Sequence, residues 1–560
     1  MKRFVRIVIP ENERRIIWRD QPQWSTDMDK CTEPYLGDDD SQQLYASKAK
    51  LDEFPYNRQW EDYKRYNNNY ELIHTSSNRK RRVENVAYHV PLSRSYFKMW
   101  EMIYDFKLLD SAEGSIQTAH LAEGPGGFIE ATCRYRVMQK RIIVEARDAR
   151  DATAAAVGSA ATAAATDTGE ASDADKFFGI TLRSAQKEVP GWVKSDSFLR
   201  MHPNVQIHYG SDGTGNLYLV HNIDAFCGYV GEHSCKLVTA DGGFDFSVNF
   251  DQQEMLAVRL LLCQIYTALR VTQSGGAFIC KFFDTYHRVS LEMLWLIATM
   301  FDTFSIVKPH TSRSANSERY VVAQGYYGTK STLYIDALSG LRKLILSWQS
   351  ADNLDEGDVN VRTNKNLWSI FELNSIPPSF EQAIREYNRT HAQLQKYTID
   401  MTLDLIDRNV SQFDRIIGTQ IQRAIRWCFK YRVPINTRCV YLANMMENFG
   451  DILKHNSNLS QYYRSNVRIN TCEKFLRDGT GKHRYQDPNT RQPRSEYQRG
   501  RRQQHRQRQH RQRHQRQRPQ QPQQPQQQNK QHVYNTIAGA GHSSCQTARR
   551  QYVTAASSAL

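Results

Sequence analysis

His120-Leu121-Ala122-Glu123-Gly124-Pro125-Gly126-Gly127-Phe128-Ile129-Glu130 reads as a strand that runs into a glycine-rich turn and then into a helix. Glycines let the backbone approach a ligand closely, and α/β folds bind cofactors at turns that follow the carboxyl ends of parallel strands. The dinucleotide fingerprint G-x-G-x-x-G is absent, which turns the reading away from nicotinamide and flavin cofactors. Many turns carry two glycines, so the surrounding chain has to decide what this one means.

Around it, from 91 to 330, short apolar runs alternate with longer periodic ones. VQIHY (205–209), KLVTAD (236–241), GAFICKFF (276–283) and YVVAQGYY (320–327) read as buried strands. QQEMLAVRLLLCQIYTALRV (252–271) and VSLEMLWLIATMF (289–301) read as helices. Strands apolar on both faces, separated by helices, predict an α/β domain around a largely parallel sheet. Residues 148–175 interrupt it with an Ala/Thr/Asp/Ser stretch that has no apolar stripe to dock, so a surface insertion is expected there.

Three further regions flank this domain. Residues 1–90 are polar, basic and aromatic, with Tyr56, Trp60, Tyr63, Tyr66 and Tyr70 at roughly helical spacing. That pattern fits an amphipathic helix packed on a neighbour, or a platform on which bases stack. Residues 335–480 read as a mainly helical accessory domain. Pro377-Pro378-Ser379 is a start signal for one long helix, and Ile417, Ile421, Ile425 and Phe429 recur every four residues on another. Residues 484–560 turn to Arg, Gln, His and Pro, which cannot bury a core, and a disordered basic tail is expected.

Charge and cysteine usage narrow the class. The net charge is +15, and the stretch 501–560, which has no acid, supplies +11 of it. The basic character thus belongs mostly to the tail, whose use would be non-specific phosphate binding or nuclear import. Ten cysteines are scattered with no C-x-x-C pair, which argues against a zinc site and a disulfide framework. No run of about eighteen apolar residues occurs and the first residues lack a signal-peptide core, so a soluble intracellular protein without a membrane partner is expected.

The polar residues that end the strands carry the chemistry. Val238-Thr239-Ala240-Asp241-Gly242-Gly243 is a strand closed by an acid and two glycines, in isolation an ordinary turn. Phe278-Ile279-Cys280-Lys281 closes a strongly apolar strand with a lysine, which needs an acid nearby or a function to justify its burial. Lys308-Pro309-His310-Thr311-Ser312-Arg313-Ser314-Ala315-Asn316-Ser317-Glu318-Arg319-Tyr320 puts Glu318 at the mouth of another strand. Ser95-Tyr96-Phe97-Lys98-Met99-Trp100 puts a lysine in a helix ahead of the glycine turn. By spacing alone Lys98 would be a surface lysine and Glu318 a solvated acid.

Taken together, in this order, the set resembles the FtsJ/RrmJ-like ribose 2′-O-methyltransferases, most closely the cap-specific mRNA members of eukaryotes and large DNA viruses. The resemblance spans roughly 75–328 and includes Phe178-Gly179-Ile180-Thr181-Leu182 and Asp212-Gly213-Thr214-Gly215-Asn216. It implies a Rossmann-like core that uses S-adenosyl-L-methionine, with a catalytic tetrad on Lys98, Asp241, Lys281 and Glu318. It also implies a cofactor seat at Ala122, Glu123, Gly124, Pro125, Gly126, Gly127 and Phe128, with Asp212 toward the adenosine. Arg79, Lys80, Arg81 and Arg82 stand where cap-binding members carry basic residues, and Asn316 resembles an RNA-contacting position. Two departures are visible: Glu123 replaces the small residue usual before G-P-G-G, and the 148–175 insertion follows the first helix.

The implied activity is methylation of the ribose 2′-hydroxyl of the first transcribed nucleotide of capped mRNA, with other capping or transcription components as further partners and no metal. A ribosomal RNA methyltransferase, and a silent RNA-binding or structural protein that keeps the fold, are the alternatives. Transfer from a sulfonium to an alcohol is an in-line displacement, in which positioning can be worth roughly 7 to 11 kcal/mol. The hydroxyl proton then needs an acceptor, for which Lys281 is the candidate; a lysine that works as a base near neutrality must sit well below its ordinary value of about 10.4. A steering role for a protonated Lys281 is the other possibility.

Overall fold

The computed structural model describes residues 4–25, 35–52, 58–75, 84–110, 114–156, 174–184, 191–243, 252–354, 366–372, 374–408, 410 and 413–443. Its strands are β1 (Phe4–Ile7), β2 (Trp18–Ser25), β3 (Gln117–Leu121), β4 (Lys176–Ile180), β5 (Val205–His208), β6 (Cys235–Ala240), β7 (Thr272–Phe282), β8 (Phe301–Val307), β9 (Arg319–Tyr326) and β10 (Asn366–Phe371). Eight of them form one sheet in the order β1-β8-β9-β7-β6-β3-β4-β5, and β10 pairs with β2. Strands β7, β6, β3, β4 and β5 are parallel to one another. β9 runs against both β7 and β8, and β1 against β8. The sheet is therefore the Rossmann-like α/β arrangement expected, with two reversed strands toward one edge.

The apolar strands explain the layering. Phe278, Ile279 and Cys280 of β7 and Leu237 and Val238 of β6 are fully buried, so both faces of the sheet must be covered, as parallel sheets require. The Gln253–Val271 and Arg288–Met300 helices contribute Leu261, Leu262, Ile265, Leu294, Trp295 and Ile297 to one cluster. The Ser95–Phe106 helix contributes Phe97, Met99 and Ile103 to a second.

The connections place a site. From β3 the chain steps outward to β4 and β5, then crosses back to pair β6 with the other side of β3. Strand order reverses between β3 and β6, and open α/β sheets bind ligands in the crevice at such a point. Register does the rest: Leu121 lies beside Ala240, Ala240 beside Cys280, and Lys281 beside Tyr320. The next residues, Ala122 and Asp241, therefore emerge side by side, with Lys281 and Tyr320 adjoining.

Beyond residue 330 the helices build on the same cores as the sheet. The described residues up to Ala443 lie in one compact unit. The Tyr334–Leu354 helix places Leu341, Leu344 and Ile345 in the first cluster, and the Asp414–Lys430 helix places Ile421, Ala424, Trp427 and Cys428 in the second. The Pro378–Asp407 helix starts where the proline signal puts it. On the Asp414–Lys430 helix the buried face runs through Ile421, Ala424, Trp427 and Cys428, while Ile417 and Ile425 are only partly buried. A strict four-residue repeat advances about 40° per step on a 3.6-residue helix, so its ends drift off the face.

Among the described residues, the aromatic spacing of the N-terminal region becomes α-helix over Arg58–Tyr63. Tyr66 stacks on Phe413 at 3.5 Å, Tyr63 meets Phe413 edge-on, and the Tyr63 hydroxyl donates to the Val410 carbonyl. Tyr63 and Tyr66, both partly buried, thus pack on Phe413, as the reading of a region packed on a neighbour requires. The helix after the glycine turn continues to Ala156, into the stretch expected as an insertion from 148; residues 157–173 lie outside the described residues. Arg79, Lys80, Arg81 and Arg82, Tyr56, and the tail from 484 also lie outside them. Seven cysteines, Cys133, Cys227, Cys235, Cys263, Cys280, Cys428 and Cys439, are free and buried.

Candidate active site

The glycine turn is held from several sides. Ala122 and Gly126 adopt left-handed backbone angles of 56° and 101°. A Cβ on Gly126 would lie 2.5 Å from the Trp192 ring, and one on Gly127 would lie 2.2 Å from the hydroxyls of both Ser93 and Ser95. The start of the Lys98-bearing helix is thus seated directly on the turn. On the other side, a Cβ on Gly242 would come within 3.1 Å of the Ala122 methyl. Phe128 packs on Tyr320 with ring centroids 5.7 Å apart.

Beside this turn the four candidate catalytic residues come together as two ion pairs. Lys98 Nζ donates to Glu318 Oε2 at 2.7 Å. Lys281 Nζ donates to the Asp241 carbonyl at 2.8 Å and lies 3.3 Å from the Asp241 carboxylate. Tyr320 joins the pairs: its hydroxyl donates to Asp241 Oδ1 at 2.9 Å, and its ring lies 6.0 Å from Lys98 Nζ. Burial alone would raise the Glu318 carboxyl, but Lys98, Lys281 and Lys308 outweigh it and hold Glu318 at about 2. Burial, then Asp241 and Glu318, push the Tyr320 phenol well above its ordinary value, so Tyr320 serves as a neutral donor.

Sequence reasoning gives Lys308 and Tyr320 only as parts of a motif and assigns them no role. The signal for Lys308 is present, since it closes the buried run Phe304-Ser305-Ile306-Val307 as Lys281 closes its own. Asn316 is exposed, with its Oδ1 accepting from Lys308 and, at 3.4 Å, from Ser312. The single Ser312 proton is shared, and its shorter contact is to Glu318 Oε1 at 2.8 Å. The segment ahead of the basic run Arg79–Arg82 reaches the same loop, for Glu71 pairs with both Arg94 (3.2 Å) and Arg313 (3.0 Å).

Two residues assigned to the cofactor seat behave differently. Asp212 is exposed in the loop after β5; burial raises its carboxyl, but hydrogen bonds with Thr214, Asn222 and His221 together outweigh it and bring it down to about 2. That loop reaches the end of β4 so closely that a Cβ on Gly215 would overlap the Thr181 carbonyl. Glu123, in contrast, is buried beneath the turn. Its Oε2 lies 3.2 Å from His120 Nδ1, and Thr239 donates to its Oε1. Burial, despite His120 and Thr239, holds this carboxyl above its ordinary range. The unusual acid therefore serves as an interior hydrogen-bonding group, and Glu123→Gln is expected to change stability by less than about 1 kcal/mol, whereas Glu123→Ala leaves a buried cavity and removes a bond from His120 and Thr239, which keep each other at 2.8 Å, and should cost about 1 to 3 kcal/mol. Urea unfolding of both variants checks the difference.

Among the described residues no group of three or more His, Cys, Asp or Glu is placed to hold a metal ion, and no helix is long and apolar enough to cross a membrane. A doubly wound sheet whose switch point carries a glycine turn, with lysines and carboxylates converging on it, defines the class as a Rossmann-like methyltransferase domain. Comparison with known proteins makes this specific. Residues 91–326 match the FtsJ-like methyltransferase family, and the chain carries an FtsJ-like methyltransferase domain over that span. It is similar to the protein named cap-specific mRNA (nucleoside-2'-O-)-methyltransferase 1 of Dictyostelium discoideum, 30% identical over 42% of this chain and 30% of the relative. The protein of that name in Trypanosoma cruzi is 39% identical over 27% of this chain and 41% of the relative, and that of Drosophila melanogaster 35% over 34% and 24%. The matches thus cover less than half the length of each of these relatives.

Proposed function

We propose that this chain transfers a methyl group from S-adenosylmethionine to the ribose 2′-hydroxyl of the first transcribed nucleotide of capped mRNA. The observation that carries it is the convergence of Lys98–Glu318 and Lys281–Asp241 beside the turn at the β3/β6 switch point. The cofactor would lie over this turn, which follows the carboxyl end of β3 at the switch point, where open α/β sheets take their ligands; Asp212 would meet the polar adenosine end. When bound, S-adenosylmethionine supplies an electrophilic methyl group. Lys281, aimed by Asp241, receives the hydroxyl proton in its neutral amine form, having released its own proton to solvent beforehand, while Lys98, held by Glu318, lines the same site. Cap dependence is supported by the relatives' names.

Labelled-cofactor transfer to short RNAs, capped and uncapped, tests this. Transfer to the capped RNA, at least tenfold above the uncapped one and sensitive to ribonuclease, is the expected result. Equal transfer to both would favour a ribosomal RNA type of substrate, and transfer to neither would end the enzymatic reading.

A further inference from the structure

Lys308 follows β8 and is only 7% exposed. Its ammonium donates to the main-chain carbonyls of Asn316 at 2.7 Å and Glu318 at 2.6 Å, and to Oδ1 of Asn316. An ammonium has three protons and accepts nothing, and here it has three acceptors on one three-residue stretch. That stretch carries both Glu318 of the tetrad and the exposed Asn316. Burial pulls Lys308 down to about 7 although Glu318 raises it; the three acceptors around it favour the ammonium form, which can only donate, so Oδ1 of Asn316 faces Lys308 and Nδ2 is the outward group. The loop has other supports, since Gln395 Nε2 donates to the Ala315 carbonyl at 3.1 Å and Ser317 donates to Gln253 at 2.8 Å. Loss of Lys308 should therefore disturb the loop's register before it unfolds the protein.

We propose that Lys308 is a positioning residue that locks Asn316 with its amide nitrogen presented as a hydrogen-bond donor to a backbone oxygen of the RNA strand, while fixing the main chain from which Glu318 reaches Lys98. This rests on the RNA-methylation reading. Asn316 is then the contact that selects and registers the strand, and Lys308 acts through it and through Glu318 without touching RNA.

The test uses the full chain with Lys308→Met, Asn316→Asp and the double variant. Asn316→Asp keeps the acceptor facing Lys308 but removes the outward donor, so KM for capped RNA is expected to rise about tenfold, with kcat within threefold and cofactor Kd unchanged. Lys308→Met is expected to raise KM similarly and to lower kcat at least thirtyfold, because Glu318 shifts as well, again with cofactor Kd within twofold. The double variant should show no more loss in KM than Lys308→Met alone. Transfer by Lys308→Met within threefold of the wild type, or KM effects that multiply in the double variant, would overturn the proposal. If Lys308→Met fails to fold, Asn316→Asp, an exposed change, still decides it: an unchanged RNA Kd and KM would refute the donor. RNA Kd is measured throughout, which separates the two readings. A wild-type chain that transfers nothing defeats the methylation reading, yet a rise in its RNA Kd on Asn316→Asp would still uphold the Asn316 contact.

Discussion

Lys281→Met should lower methyl transfer to capped RNA by at least about 10³-fold while leaving the cofactor Kd within about threefold. The first half follows from position. Lys281 is fixed by the β7 register next to Tyr320, and its ammonium is aimed by the Asp241 carbonyl and carboxylate. Methionine keeps the length and apolar stem but can neither accept the hydroxyl proton nor hold the hydroxyl in line; general base catalysis alone contributes typically 10² to 10⁴. The second half follows from the turn. Its contacts run through Ala122–Gly242, Gly127–Ser95 and Phe128–Tyr320, none of which uses the Lys281 ammonium. Asp241 also keeps the Tyr320 hydroxyl as a partner. Lys281→Arg separates the two roles a lysine could have, because a guanidinium stays charged and cannot act as the base. Single-turnover rates decide: Lys281→Arg near the methionine variant supports proton transfer, whereas a rate within tenfold of the wild type supports steering and removes the base from the mechanism.

How much of this is legible in the sequence depends on where a residue's partner comes from. Lys281 stands out because it closes a strongly apolar run, and a charge there needs a reason; Asp241, ahead of two glycines, reads alone as an ordinary turn. Lys98 and Glu318 give no such signal; their pairing spans 220 positions and exists only because the Lys98 helix is seated on Gly127 while β9 inserts beside β7. The family resemblance supplies what spacing cannot. Strand edges are blurred where no turn residue intervenes: the Arg288–Met300 helix passes straight into β8 at Phe301, which by periodicity reads as the helix's last residue. Tyr320 is hidden because a tyrosine in an apolar strand looks like core, and its role is set by one hydroxyl contact to Asp241. The contribution of the later helices is equally hidden. Asn388 and Gln395 on the Pro378–Asp407 helix reach Arg319 and the Ala315 carbonyl, side chain by side chain, without any apolar periodicity to announce it.

Glu318→Gln is the second large effect expected, and its dependence on pH identifies its cause. Glu318 is surrounded by Lys98, Lys281 and Lys308 and is held at about 2, against an ordinary value of 4.5. A carboxyl depressed in the folded state contributes stability that is complete above its unfolded value and is lost as pH falls through the folded one. The contribution should therefore be present in full above about pH 5 and decline between about 4.5 and 2. A shift of that size corresponds to about 3 kcal/mol. Glutamine keeps the shape and loses the charge, so urea unfolding at pH 7 should find the variant less stable by about that amount, with methyl transfer reduced at least about 10²-fold because Lys98 loses its anchor. As pH is lowered toward 2, the wild-type carboxyl protonates and comes to resemble the amide, and the gap between the two proteins should close. Glu71 and Glu254 are also held at about 2, but both are common to the two proteins and cancel in the difference. A gap that stays constant from pH 7 to pH 3 would mean that the loss comes from packing, and that the lysine cluster does not depend on Glu318 for its charge balance.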